Sequence, residues 1–361
     1  MEEMKKSRVI LWAVVLIILA ILALLLRYKM HFHWSAFSAE VRSDWSAMRT
    51  GIATADRKRL LFGVVLIYVS YWIRALRWAI LLKPQKKVRA MTILGSQFIG
   101  FTAVALFGRL ADLTRPYLIA RRTGLTLASQ IATYTLERMF DLGAAALIFS
   151  SALVLTPKDA VLPHREIFIH VGVFSLLLTV TIALFAFGLR IAGEAAAFYA
   201  EKVFSLVSPK FGAGIGGKIR AFREGMNALS TFRDFLAVSA LSLLMWGMIA
   251  LVYLEVVHSF VNTPELATRS FQETMLLMGA SIGGSLLQFP VLGWFTQIGI
   301  TAEAMHTFFN APGPAATACG ALLLAVTFLA VIPVGLIYAR IEGVSLRKAA
   351  VSSETAAEEI L

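Results

Sequence analysis

Hydrophobic positions fall into long runs separated by short polar and basic stretches. That spacing predicts membrane-crossing helices, each of which needs about 20 mostly apolar residues. The runs cover residues 9–26, 60–82, 126–155, 168–189, 234–257 and 314–339. Lys5, Lys6 and Arg8 precede the first run. It is longer than the roughly 7–15 residues of a signal-peptide core and lacks a small-residue cleavage site, so it reads as a retained helix. In the polar segment 27–59, Trp34, Phe37, Val41, Trp45 and Met48 recur every three or four residues. This pattern suits an amphipathic helix lying on the membrane surface. The connector 190–233 is polar and contains glycine, and it predicts surface helix on the cytoplasmic side; a short tail spans 340–361.

Two further apolar segments, 91–123 and 271–310, do not read as simple crossings. In the first, the run 91–107 leads into Gly108-Arg109-Leu110-Ala111-Asp112-Leu113-Thr114-Arg115-Pro116 and then Arg121 and Arg122. A full crossing would carry these arginines outside, against the positive-inside rule. A re-entrant hairpin that enters from the cytoplasm and returns there removes the conflict. The second segment holds Gly279, Gly283, Gly284, Pro290, Gly293 and Gly299, a density expected of a broken helix or hairpin. Counting crossings makes it enter from outside. Two hairpins entering from opposite faces are the topology of an inverted repeat, although no residue-level repeat is visible. The expected fold is therefore all-α: one polytopic membrane domain over residues 1–361 with about six full crossings and two re-entrant hairpins.

Composition agrees with this. The chain is 58% hydrophobic and 16% charged, against about 25% charge in a soluble domain. This excludes an ordinary soluble enzyme and a disordered chain. The single Cys319 excludes an intrachain disulfide and a cysteine-rich metal site. Lys and Arg number 34 against 22 Asp and Glu, for a net charge of +12. In a membrane protein that excess marks cytoplasmic loops rather than nucleic-acid binding. Four basic residues fall in 83–89, seven in 190–233 and three in the tail, all on the side assigned to the cytoplasm; the seven in 27–59 fall outside. Both termini are expected in the cytoplasm, with the protein in the plasma membrane.

Ionisable residues within membrane spans line a cavity, pair with each other or snorkel to the interface. Three groups qualify. Arg74 and Arg77 lie near the cytoplasmic end of their span beside Trp72 and Trp78. They read as interfacial anchors or as guanidiniums that recruit lipid phosphates. At the first hairpin tip, Arg109, Asp112 and Arg115 recur at three-residue spacing. A returning helix capped by Asp112 would point its N-terminus into the membrane as an anion site, with Arg109 and Arg115 beside it. In the third group, Glu137, Arg138 and Asp141 lie near mid-membrane, with Glu137 and Asp141 on one face. They would pair with the hairpin arginines, or one carboxylate would titrate and couple transport to protons. In the second hairpin, Gln288, Gln297, Glu303 and His306 supply polar groups, Glu303 being a further cavity-charge candidate.

No phosphate-binding loop, zinc-protease or nucleophile-elbow motif occurs, and no paired metal-ligand cluster. Gly212-Ala213-Gly214-Ile215-Gly216-Gly217 follows no predicted strand and reads as connector. No enzyme activity, cofactor or metal is expected.

Taken together, these residues resemble the lysylphosphatidylglycerol synthase transmembrane region, or flippase-like domain, family. Ile73-Arg74-Ala75-Leu76-Arg77-Trp78 resembles its R-x-x-R-W signature. The segment from Gly108 through Arg115 is similar to its P-G-R-x-G-E-x-x-R hairpin, with Phe107, Ala111 and Asp112 in place of Pro, Gly and Glu. Glu137-Arg138-Met139-Phe140-Asp141 resembles its E-R-x-x-D element, and its P-G-G-x-G-x-x-E hairpin is blurred here into residues 290–299. The resemblance implies the translocation half without the synthase domain. The expected function is translocation or binding of an anionic or amphiphilic membrane lipid. Arg74, Arg77, Arg109 and Arg115 would bind its headgroup, and Asp112, Glu137, Arg138, Asp141 and Glu303 would set the cavity charge. An accessory subunit of an envelope-biosynthesis complex and an intramembrane transferase are the alternatives.

Overall fold

A computed structural model describes residues 34–155, 165–206, 208–210, 212–217, 231–285 and 292–358. All regular structure among them is helical. The expected first crossing, at 9–26, lies outside the described residues. The chain forms two units, residues 1–50 and 51–361. Helix α1 (Trp34–Thr54) covers the described part of the first, where Trp45 is exposed as the three-to-four-residue pattern requires.

The second unit begins with α2 (Arg57–Leu82), started by the Asp56 carboxylate, which accepts from the Lys58 amide at 2.8 Å. This N-cap satisfies a donor that the first helical turn leaves without a partner. Helix α3 (Ala90–Phe107) leads through a tight turn, Gly108–Ala111, into the short α4 (Thr114–Thr123). The long helices α5 (Leu127–Val154), α6 (Arg165–Phe204) and α7 (Phe232–His258) follow. Then come α8 (Phe271–Ser285), α9 (Leu292–Phe309), α10 (Gly313–Ile341) and α11 (Leu346–Glu358).

Four of the described helices are long and apolar enough to cross a membrane: α2, α3, α7 and α10. The protein is an integral membrane protein. Helix α5 has the length as well, but it carries Glu137, Arg138 and Asp141 along its middle.

Helices α2 and α7 run antiparallel, and an ion pair at each end fixes their register. Arg59 Nη1 meets Glu255 Oε2 at 2.8 Å, and Lys83 Nζ meets Asp234 Oδ1 at 2.9 Å. Between them the backbones approach closely at Gly63, which faces Val252 and Val256. Small residues bring helices together in the same way elsewhere, since lipid gives no hydrophobic drive for helices to associate. A methyl group on Gly335 of α10 would stand 2.7 Å from the Phe98 carbonyl oxygen of α3. One on Gly100 would stand 2.9 Å from the Arg115 Cα, so α4 folds back directly onto α3. In α10, residues Ala325–Leu329 form a π-turn, and the Tyr68 hydroxyl donates to the Ala330 carbonyl at 2.9 Å. That bond serves a backbone oxygen beside the widened turn.

Three expectations change in detail. The returning hairpin helix starts at Thr114 after Leu113, which makes no side-chain cap, so Asp112 is not its N-cap. The sixth helix does not end near residue 189 but continues to Phe204, with one non-helical residue, Ala192. The Ala-rich stretch after Gly193 has too strong a helix propensity to become connector there. The tail is also ordered into α11. Ala349 packs with Ile99, Leu118 and Ala339, and the buried Ser353 hydroxyl lies 3.4 Å from that of Thr114.

Candidate functional site

Helix α5 presents Glu137 and Asp141 one turn apart, both buried among neighbouring helices. A carboxylate removed from water needs charged donors, and three elements supply them. From α2, Arg77 donates Nη1 to Asp141 Oδ1 at 2.6 Å and Nη2 to Glu137 Oε1 at 2.6 Å. Its Nη1 also reaches Ser242 Oγ of α7 at 2.8 Å. Arg77 is 0% exposed, and its forked guanidinium ties α2, α5 and α7 together.

From the hairpin, Arg115 donates Nη2 to Glu137 Oε2 at 2.5 Å and Nη1 to Gln97 Oε1 of α3 at 3.1 Å. Its guanidinium lies among three rings, Trp78 at 4.7 Å, Phe101 at 4.8 Å and Tyr134 at 5.1 Å. Aromatic faces are electron-rich, so they hold a desolvated cation without adding a formal charge. The Trp78 indole in turn donates to Gln130 Oε1 at 3.1 Å.

Two further arginines are held more loosely. Arg74 Nη1 reaches Asp141 Oδ2 at 3.3 Å, and Arg138 Nη2 lies 3.5 Å from the same oxygen and 3.7 Å from Glu137 Oε2. The Arg138 contacts are ion pairs at longer than good hydrogen-bond distance. Its side chain is 37% exposed, while its Nε is buried without a hydrogen-bond partner. The ring of Tyr134 lies 5.1 Å beneath its guanidinium. Trp246 of α7 donates to Asp141 Oδ1 at 3.3 Å. Four arginines thus converge on two carboxylates.

The structure brings the three separate groups read from sequence into one cluster: Arg74 and Arg77, then Arg115, then Glu137, Arg138 and Asp141. Asp112, half-buried before α4, lies within electrostatic reach of Tyr134 and Arg138. The backbone of Arg109 lies in the turn Gly108–Ala111, and its side chain is outside the described residues. Glu303 is not brought to the cluster. It is exposed on α9 and accepts from Thr307 at 3.3 Å, and His306 is exposed as well. Gln297 is buried in a second, uncharged network, in which its Nε2 and the Tyr253 hydroxyl both donate to Ser281 Oγ, at 3.2 Å and 2.9 Å. Gln288 lies outside the described residues.

Gln97, Phe101, Gln130, Tyr134, Ser242 and Trp246 are participants that sequence reasoning missed. An amide in the middle of an apolar 18-residue helix is the signal that could have found Gln97. Nothing in the run around Ser242 and Trp246 distinguishes them from lipid-facing residues.

No curated protein matches the chain. Residues 10–335 match the family model described as lysylphosphatidylglycerol synthase TM region. That match runs through α2, α3, α4, α5 and α7, every helix that contributes to the charge cluster, and the chain belongs to this family of membrane domains.

Proposed function

We propose that the protein translocates, or binds for translocation, an anionic or amphiphilic lipid across the plasma membrane. The headgroup uses the arginine cluster while the tails stay in the bilayer. The observation that supports this is the surplus of arginine over carboxylate on buried helix faces. An arginine side chain cannot shed its proton in a protein, so the surplus calls for an anion from the membrane. Asp141 lies 14 residues into α5, about 21 Å along its axis, a depth suited to a headgroup in transit. The described residues divide by how they are held. Arg77, enclosed by two carboxylates and a hydroxyl, acts as the pin that joins three helices. Arg74, Arg115 and Arg138 face the headgroup, with Arg109 at the hairpin tip. The site binds and carries; it performs no covalent chemistry.

In this reading the hairpin of α3 and α4 is re-entrant. Helix α3 is about 27 Å long, but the chain folds straight back along it, so the basic ends of both helices share the cytoplasmic side with the two termini. The second hairpin, α8 and α9, enters from the opposite face. A second reading, an accessory subunit whose charges only bind helices together, is favoured by the complete enclosure of Arg77.

Reconstitution into liposomes separates the two. Fluorescent phospholipids are added to proteoliposomes, and the fraction protected from an impermeant quencher is followed in time. Arg74→Ala and Arg138→Ala are the informative variants, because each leaves both carboxylates paired with Arg77 and Arg115. The transport reading expects lipid exchange in the unaltered protein and its loss in these variants. Unaltered protein that moves no lipid, with both variants less stable than the parent, supports the accessory reading instead.

A further inference from the structure

The uncharged network of the second hairpin holds a polar atom that nothing in the protein satisfies. Tyr253 of α7, Ser281 of α8 and Gln297 of α9 meet at one oxygen. The Tyr253 hydroxyl donates to Ser281 Oγ at 2.9 Å, and Gln297 Nε2 donates to the same atom at 3.2 Å. The Thr301 hydroxyl, one turn further along α9, donates to the Gln297 carbonyl at 2.6 Å. Every group joined here is uncharged. Gln297 is only 7% exposed, yet its Oε1 is buried without a hydrogen-bond partner. A buried acceptor left unpaired is costly, so this atom calls for a donor from outside the protein. Turned over, the amide would leave its NH2 group unpaired at the same place. In the charge cluster the buried atoms without partners are donors instead: Arg77 Nε, Gln97 Nε2 and Arg138 Nε. The two places therefore suit different parts of a ligand, an oxyanion at the arginines and a neutral group at the amide.

We infer that Tyr253, Ser281 and Gln297 form a second headgroup site, which takes a hydroxyl of a polyol headgroup. A hydroxyl donates to Oε1 or accepts from NH2, so it satisfies the amide either way round. A phosphate oxygen would face the lone pairs of Oε1, and an ammonium would find no carboxylate among these groups to balance it. Helix α7 links the two places. Ser242, which bonds Arg77, and Tyr253 are eleven residues apart on it, about three turns, so they share one face about 16 Å apart along the axis. That separation exceeds the reach of a glycerol or single-sugar headgroup, so one headgroup occupies the two sites in turn. The order rests on the transport reading above: phosphate is held at the arginines, and the hydroxyl is held at Gln297 as the headgroup moves along α7.

Native mass spectrometry of the full-length protein, taken from nanodiscs of phosphatidylcholine doped equally with phosphatidylglycerol and phosphatidylpropanol, reads this directly. The two doped lipids carry the same phosphodiester charge and differ only in the headgroup hydroxyls. One hydrogen bond gained in a site shielded from water corresponds to about a fivefold preference. Phosphatidylglycerol is therefore expected to be retained about fivefold over phosphatidylpropanol. Gln297→Met, similar in length but without the amide, is expected to bring the ratio to about one while total lipid retention persists, because the arginines remain. Should that variant fail to fold, Gln297→Asn withdraws the amide by one methylene and is expected to bring the ratio within about twofold. Thr307→Val, on the exposed face of the same helix, leaves it unchanged. Equal retention of the two lipids by the unaltered protein leaves the amide to water and overturns the inference. A preference that survives loss of the Gln297 amide in full overturns it as well, since the hydroxyl is then read elsewhere. Transport of both lipids at one rate, with equal retention, overturns it while the transport reading stands. A preference that depends on Gln297, without transport, supports the second site and overturns the transport reading. Soluble glycerophosphoglycerol that displaces the lipid supports the hydroxyl site and moves its source from the bilayer to solution. Retention of neither lipid overturns both.

Discussion

Replacing Glu137 by Gln tests whether the charge cluster holds the helices together. Glu137 is 0% exposed and accepts from Arg77 at 2.6 Å and from Arg115 at 2.5 Å. The amide keeps the shape, but it retains only one acceptor oxygen and turns an NH2 group toward a guanidinium. One charge-assisted bond is lost, about 1.5–3 kcal/mol, and the positive excess around the four arginines rises by one. Breaking a buried pair by removing one partner typically costs about 3–5 kcal/mol. The structure puts Glu137→Gln in that range, because two arginines lose their shared partner. At about 1.3 °C per kcal/mol for a chain of 361 residues, unfolding in detergent should shift down by roughly 4–7 °C. The double variant Glu137→Gln with Arg115→Met should lose less than the two single losses added, because it removes a cation together with its anion. The coupling should exceed about 1 kcal/mol, as for contacting residues in one network. A shift below 2 °C for Glu137→Gln, or strict additivity of the pair, would refute a structural role for this network.

Further outcomes follow from single contacts. Gly335→Ala should destabilise by about 1–3 kcal/mol, because its methyl meets the Phe98 carbonyl at 2.7 Å, backbone that cannot swing away; thermal unfolding measures it. Trp78→Phe removes the donor to Gln130 and weakens the face on which Arg115 lies, for a loss of about 1–2 kcal/mol by the same assay. Cys319 is 0% exposed, so the folded protein should resist a water-soluble maleimide and become fully labelled after denaturation. Rapid labelling without denaturant would contradict its burial.

Much of this architecture could be read from the chain because lipid is a simple solvent. Apolar length alone marks α2, α7 and α10, and the arginines after Phe107 betray a fold-back, since a straight crossing would strand them. Pairing was less legible. Arg77 and Glu137 are 60 residues apart, and Ser242 lies 165 beyond Arg77. Spacing within a helix names the face a residue occupies and is silent on which other helix that face meets. Arg74 and Arg77 look like interfacial anchors for the same reason. Their distance from the end of α2 is compatible with snorkelling, and only the packing of α5 against that face encloses Arg77. The ordered tail was missed because its polar composition matches a solvated segment, while the residues that dock it are few, Leu346, Ala349 and Ser353.

The docking of α11 also sets an order of events during synthesis. Thr114 in the hairpin meets Ser353 across 239 residues of sequence. At about 5–20 residues per second, roughly 12–50 s separate the emergence of the two. For that interval the face of Ile99 and Leu118 has neither Ala339 nor Ala349 against it. Until α11 is made, that face is left to lipid or to other parts of the chain. The docking of α11 is therefore the step that completes the hairpin first laid down near residue 90.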